Sequence, residues 1–469
     1  MKIKKIIIFL IFVLLITSGF QCNTKKSKLN PDVTITVWGV FEERDALQVL
    51  FDKFKTLHPT VNFQYKKLEF KEYEYRLLEE WASLNGGPDI YFIPSNLIIK
   101  YKNKGRITPM PKSVNLPYRE IKVNKIGSFQ KVDQYDYTKS VPTTSRNDLE
   151  TKFPQIVMKD VYMDGKIYGL PLSIETLGMF YNKNMLDDNN IIRPTQVWSG
   201  ISGREIEDFI GQVKKISRIS KDGKIQQSGT ALGATENITN ASDIIALLLL
   251  QSRSIDVGGA SGGFNVTNKN NFLSSINFYN DFSNPIKETY SWNKEQSNSL
   301  EAFKSGQVAF FFGYPHDISK AEAQRLNFGV TQVPQLDYDI SNNGEIILRN
   351  PVNIGNYWVM TVSHKTKHPD IAWGFIDFAT RKENVKDYLE KSNRPTALKD
   401  LISEQSKDLY LAPFVNQILT AKSWYKGSNP ELASQYIKEL TNGIKNAGAN
   451  TNLDAIINTY QIKINQTIQ

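Results

Sequence analysis

Two histidines four residues apart, His364 and His368, have a spacing that on a helix would put both imidazoles on one face to hold a metal. No glutamate follows His364, and His368 precedes Pro369, where a helix starts rather than continues. Cys22 is the sole cysteine, which excludes an internal disulfide and every multi-cysteine zinc or iron-sulfur site. No metal and no cofactor are expected. The run Gly258–Gly263 has the glycine count of a phosphate cradle, yet no strand is read before it and no Lys-Ser or Lys-Thr pair follows, so it reads as a flexible turn. Nothing groups Ser, His and Asp as a hydrolytic triad would require. Glycoside hydrolysis asks only for two carboxylates about 5 to 10 Å apart, a separation that sequence does not display, and Glu175 with Asp317 is the pair considered for it.

The composition is that expected of a soluble globular body. The chain has 469 residues, 40% hydrophobic and 22% charged, enough for two or three domains with a sizeable core. Its 57 basic against 48 acidic residues give +9, and removal of Lys2, Lys4 and Lys5 with an N-terminal leader leaves +6. That surplus is spread along the chain instead of forming one basic block, so no nucleic-acid partner is expected.

The leader itself is legible. Met1–Lys5 is basic, Ile6–Ile16 is an unbroken run of eleven apolar residues, and Thr17–Gln21 is small and polar before Cys22. The apolar run is shorter than the roughly 20 residues that cross a bilayer, so the layout reads as an export signal. A lone cysteine closing such a segment resembles the lipid-modified cysteine of bacterial lipoproteins. The resemblance implies a signal over 1–21, lipidation at Cys22 with a polar tether over 22–32, and a chain held at the membrane on the extracellular or periplasmic side.

Beyond the tether, strands and helices alternate. Val33, Ile35 and Val37 alternate with polar partners up to Trp38, and Leu47, Leu50, Phe54 and Leu57 recur at helical spacing before His58-Pro59 and a second strand at Val61–Tyr65. A helix through Leu77 and Trp81 leads by Gly86-Gly87-Pro88 into the strand Ile90–Ile93. Residues 111–155 lack a strong period and read as a long surface excursion. Asp164-Gly165 signals a hairpin, and Ile244–Leu250 reads as a buried helix. Strands at Val308–Phe312, Phe328–Val333 and Tyr357–Val362 follow, then a helix through Ile371, Phe375 and Ala379. This alternation predicts an α/β protein.

Several segments, in order, resemble the extracellular solute-binding proteins of ABC transporters, the family of maltose-binding-protein-like sugar binders. They are Ile35–Gly39 with its helix and His58-Pro59, Gly87–Ile90, Asp164–Pro171 running on to Tyr181-Asn182-Lys183, Phe303–Phe310, Phe328–Pro334, Asp370–Ala379 and Asn393–Ala397. The resemblance implies a two-lobed α/β fold of the type II periplasmic-binding-protein kind, with three crossovers and an interlobe cleft. Placed on this chain, the crossovers fall near 172–176, 306–311 and 356–361. The N-terminal lobe is then 33–173 plus 311–356, and the C-terminal lobe 176–306 plus 362–469. It further implies a protein with no catalytic activity that carries a small polar solute, foremost a carbohydrate, to an ABC permease and its ATPase subunit; a monomer is the default expectation.

A sugar cleft wants aromatic faces for C–H stacking and polar groups for buried hydroxyls. Residues at strand ends and crossovers that could supply them are Trp38, Ser95, Asn96, Tyr314 and Trp358, with Trp292 between two helices and Trp424 in the helical C-terminal part. By resemblance, Glu175 stands where family members place a sugar-contacting glutamate, and Arg394 lies in a loop that offers polar contacts. Two other readings are kept: a secreted carbohydrate-active hydrolase, and a surface binding module that feeds a sensor.

Overall fold

The computed structural model describes residues 32–468 apart from 84–85, 127–128, 201–206, 258–262, 342–344 and 426. The leader, Cys22 and the tether through residue 31 lie outside the described residues, as does most of the run Gly258–Gly263.

The first sheet grows from a βαβ unit. Strand Val33–Gly39 pairs in parallel with Val61–Lys67, from Val33 against Val61 to Gly39 against Lys67, and also with Ile90–Pro94. The helix Arg44–Leu57 between the first two buries Ala46, Leu47, Leu50, Phe51 and Phe54, one face at a period of 3.6. Trp358–Ser363 then inserts antiparallel between Ile90–Pro94 and Ile107–Thr108, completing a five-stranded order.

The second sheet, also five-stranded, centres on Val308–Gly313, flanked by Ile225–Thr230 and Gly178–Asn182. All six residues of that strand are buried, because helices cover both faces. One neighbour is the helix Ala241–Gln251, apolar around its circumference from Ile244 to Leu250 and pinned by Gln251, whose Oε1 accepts from Trp198 Nε1 at 2.8 Å.

Two hydrophobic cores result, joined by a small sheet in the order Ala421–Lys422, Asn353–Asn356, Glu175–Thr176. These strands are the crossovers. Gly355 has no room for a side chain there: a Cβ would meet Ile156 Cδ1 at 2.8 Å and Ala421 Cβ at 3.1 Å.

Four expectations need correction. Residues 311–356 pack with the second core, not the first, and Tyr357–Leu401 pack with the first, because Trp358–Ser363 is an inner strand of the first sheet. The strand expected as the crossover at 306–311 is instead the centre of the second sheet, and the crossovers after Glu175–Thr176 are Asn353–Asn356 and Ala421–Lys422. Within 111–155, the supposed irregular excursion contains a long antiparallel ribbon, Ser113–Ile126 with Phe129–Pro142. Among the described residues it pairs with no third strand, and its outer stretch leaves Ile121, Val123 and Val132 exposed, so no clean in-out alternation marks it. A strand, Ile255–Val257, does precede the glycine-rich run and pairs with Phe264–Val266 after it. Residues 259–263 spell Gly-x-Ser-x-Gly, but a nucleophile elbow turns from strand to helix, and here a strand follows. The expected hairpin at Asp164-Gly165 forms between Tyr162–Met163 and Lys166–Ile167, with both turn residues at positive φ, 49° and 75°.

Candidate functional site

A cavity of about 320 Å³ lies where both sheets and the crossovers present their ends. Ser95 and Asn96 follow strand Ile90–Pro94, Tyr314 follows Val308–Gly313, Asn356 and Trp358 flank one crossover, and Ser423 to Tyr425 follow another. The first turn of the helix Ala241–Gln251 adds Ser242 and Asp243, and the helix Pro430–Lys445 adds Glu431 and Ser434.

Asp243 organises one wall. Its Oδ2 accepts from Tyr314 Oη at 2.6 Å and its Oδ1 from Trp424 Nε1 at 2.8 Å, so one carboxylate sets the orientation of two aromatic rings. Burial pushes its carboxyl above the usual range against the opposing pull of those two donors. Tyr425 stands beside Trp424, ring centroids 5.8 Å apart.

The facing wall is also aromatic. Phe41 meets Trp358 edge-on at 5.2 Å and stacks on Phe70 at 5.9 Å. Phe41 and Phe70 are 46% and 51% exposed, which leaves apolar rings bare to solvent at the mouth of the cavity. Between the walls, Asn96 offers a buried Oδ1 that has no hydrogen-bond partner among the described residues. Among the described residues, the charged side chains in this lining are Asp243 and Glu431. A second cavity of about 700 Å³ shares Phe70, Pro94, Trp358, Pro430 and Glu431 with the first, so the groove extends past one sugar ring in length.

Of the residues singled out from sequence, Ser95, Asn96, Tyr314, Trp358 and Trp424 line this cavity. Trp38 and Trp292 do not. Trp38 is buried in the first core with Lys66 Nζ 4.5 Å from its ring centroid, and Trp292 is buried in the second core, where its Nε1 donates to Asn237 Oδ1 at 3.0 Å. Glu175 and Arg394 sit beside the cavity without lining it. The residues sequence reasoning missed are Phe41, Phe70, Asp243, Asn356, Tyr425 and Glu431. Asp243 carries the only local signal among them, an acid opening an otherwise apolar helix.

Glu175 takes part in a polar bridge across the crossovers. Its Oε2 lies 2.9 Å from His316 Nδ1. The neighbouring Asp317 accepts from Tyr314 N at 3.0 Å and from Lys320 Nζ at 2.7 Å. Burial alone would lower the His316 pKa, but the hydrogen bond and charge of Glu175, with the charge of Asp317, raise it. A raised histidine stabilises the fold fully below its ordinary pKa of about 6.5, and that contribution fades as pH climbs through the raised value. About half of the imidazole faces solvent, which holds the effect to under about 1 kcal/mol. Melting curves between pH 6 and 8.5 should therefore fall more steeply for the wild type than for His316→Gln; parallel curves would disprove the bridge.

Comparison with known proteins places this geometry. The family described as bacterial extracellular solute-binding protein matches residues 50–412. The maltodextrin-binding protein MdxE of Bacillus subtilis is 25% identical over 264 residues, 54% of this chain and 56% of that protein. A galactooligosaccharide-binding protein of the same organism is 22% identical, over 55% of this chain and 56% of its own length. The chain thus spans little more than half the length of these curated relatives. A cyclo/maltodextrin-binding protein solved with maltotetraose superposes with a TM-score of 0.66 at 16% identity, covering 95% of this chain and 99% of that one.

Proposed function

The chain belongs to the bacterial extracellular solute-binding proteins, and from that premise we propose that it captures an uncharged oligosaccharide between its two lobes and delivers it to an ABC permease driven by an ATPase subunit. The observation that carries this reading is the pair of facing aromatic walls, Phe41, Phe70 and Trp358 against Tyr314, Trp424 and Tyr425, around a buried carboxylate and a vacant amide acceptor. Rings stack on sugar C–H faces, and buried acceptors repay the hydroxyls for lost water. Among the described residues the first cavity is lined by two carboxylates and no Lys, Arg or His, which disfavours phosphorylated or acidic sugars in that part of the groove. The named cargo of the sequence relatives, maltodextrin and galactooligosaccharide, supports the oligosaccharide class.

The protein acts as a monomer without a cofactor, exported by its leader and anchored through lipid on Cys22. Ligand touching both lobes favours the closed state by its differential affinity, and the closed rim is what the permease reads. A hydrolytic role for Glu175 and Asp317 gains no support, since the Asp317 carboxylate is already occupied by Tyr314 N and Lys320.

A thermal-shift screen of the chain starting after Cys22, against neutral and charged mono- and oligosaccharides, polyols, amino acids and peptides, tests the reading. A cargo at 100 times its dissociation constant adds about 2.7 kcal/mol. Neutral oligosaccharides should raise the melting temperature with no product on a chromatogram, and Trp358→Ala should weaken binding about tenfold, about 1.4 kcal/mol. Released product would point to the hydrolase instead, and a flat response to every saccharide would refute the carbohydrate assignment.

A further inference from the structure

The crossover sheet has two ends. Strands Asn353–Asn356 and Ala421–Lys422 run parallel, and residues at and beyond their C-terminal ends, Asn356 and Ser423 to Tyr425, line the cleft described above. At their N-terminal ends lies a separate cavity of about 550 Å³, walled by Ile156 of the first core on one side and by Leu250 and Ile255 of the second on the other. It is therefore a rear counterpart of the cleft.

Among the described residues the rear cavity has four cations in its lining: Lys159 from the helix Gln155–Val161, Arg253 after the helix Ala241–Gln251, Arg349 after strand Ile346–Leu348, and Lys422 on the crossover itself. Two acids share the lining. Asp160 accepts from Tyr357 Oη and Ser423 Oγ, each at 2.7 Å, and Asp256 stands on strand Ile255–Val257. Arg253 Nη2 binds Asp337 at 2.9 Å and Arg349 pairs with Asp339, which leaves each guanidinium further N–H donors. Lys422 is different, because its ammonium makes no hydrogen bond or ion pair among the described residues. Partial burial, then the charges of Lys159 and Arg253, hold it below the ordinary lysine range, with Asp256 the opposing influence. An unpaired ammonium in a lining shared with three other cations is a place an anion would satisfy.

We propose that this rear cavity is a second binding site, for an oxyanion of the phosphate class, held by Lys422 at its centre with Lys159 and Arg253 from either lobe. The volume exceeds that of a single phosphate, so a diphosphate or a phosphate ester is the fitting size. The inference is independent of which cargo the cleft takes.

Titration of the full-length chain with pyrophosphate, at ionic strength held constant with sodium chloride and followed by calorimetry and phosphorus NMR, tests it. Saturable one-site binding is expected, weakened at least tenfold in Lys422→Ala, kept within about threefold in Lys422→Arg and unchanged in Trp358→Ala. Vesicles of phosphatidylglycerol form a parallel arm: capture that depends on Lys422 assigns a lipid headgroup as the source, whereas pyrophosphate binding alone assigns a soluble one. No saturable binding in either arm, equal affinity in wild type and Lys422→Ala, or loss in Trp358→Ala would overturn the site.

Discussion

Asp243→Ala should lower oligosaccharide affinity by about a hundredfold, the largest loss expected from any single change in the cleft. The argument is one of positioning. The carboxylate accepts from Tyr314 Oη at 2.6 Å and Trp424 Nε1 at 2.8 Å, and both rings belong to the same wall. Hydrogen bonds to a charged group contribute about 1.5 to 3 kcal/mol each, and losing the acceptor leaves two donors in a largely dehydrated place. Freed from it, both rings regain rotamers, so a ligand must then order them at its own cost. A hundredfold corresponds to about 2.7 kcal/mol, within the reach of the two bonds. Asp243→Asn keeps one acceptor oxygen and should fall between, near tenfold. Calorimetric titration decides it: if Asp243→Ala binds within threefold of the wild type, the wall is held by packing and the carboxylate is incidental.

Why that residue escaped a reading of the sequence is instructive. Tyr314 lies 71 positions from Asp243 and Trp424 lies 181, so nothing local marks the three as a unit. What sequence does display is local pattern: period was sufficient for strand Val33–Gly39 and the helix after it, the Asp-Gly pair for the turn at Asp164-Gly165, and an apolar run for the buried helix Ala241–Gln251. Period does not say which sheet a strand joins. Val308–Gly313 and Trp358–Ser363 both read as apolar strands, and only pairing sends the first to the second sheet and the second between Ile90–Pro94 and Ile107–Thr108. A similar limit moved the aromatic wall. Trp38 looked like the last residue of its strand, but the strand continues to Gly39 and turns the indole under Lys66. The chain then reaches the cleft three residues later, with Phe41.

The turn that carries Phe41 leads to the second large effect. Arg394→Ala should destabilise the protein by about 3 to 5 kcal/mol at pH 8 and by much less near pH 5. Arg394 Nη2 donates to Phe41 O at 3.0 Å, and its Nη1 lies 3.5 Å from Glu42 Oε1. Glu42 is only 3% exposed and its Oε2 has no hydrogen-bond partner among the described residues, so the guanidinium is what makes a buried carboxylate tolerable. Burial raises the Glu42 carboxyl even with that opposing charge in place. Removing Arg394 raises it further. The folded state then holds a proton that the unfolded state releases, so stability falls as pH rises through the raised value and recovers in acid. Glu42→Gln in the Arg394→Ala background removes the unpaired charge and should restore most of the loss at pH 8, whereas Glu42→Gln alone should cost little. Urea unfolding of the four proteins at both pH values gives the coupling energy directly. A loss below about 1 kcal/mol in Arg394→Ala, or one equal at pH 5 and pH 8, would show that the carboxylate finds water. The same variant should loosen Phe41, whose carbonyl Arg394 holds, and weaken cargo binding severalfold even where the fold survives, because that bond helps to position the ring at the mouth of the cleft.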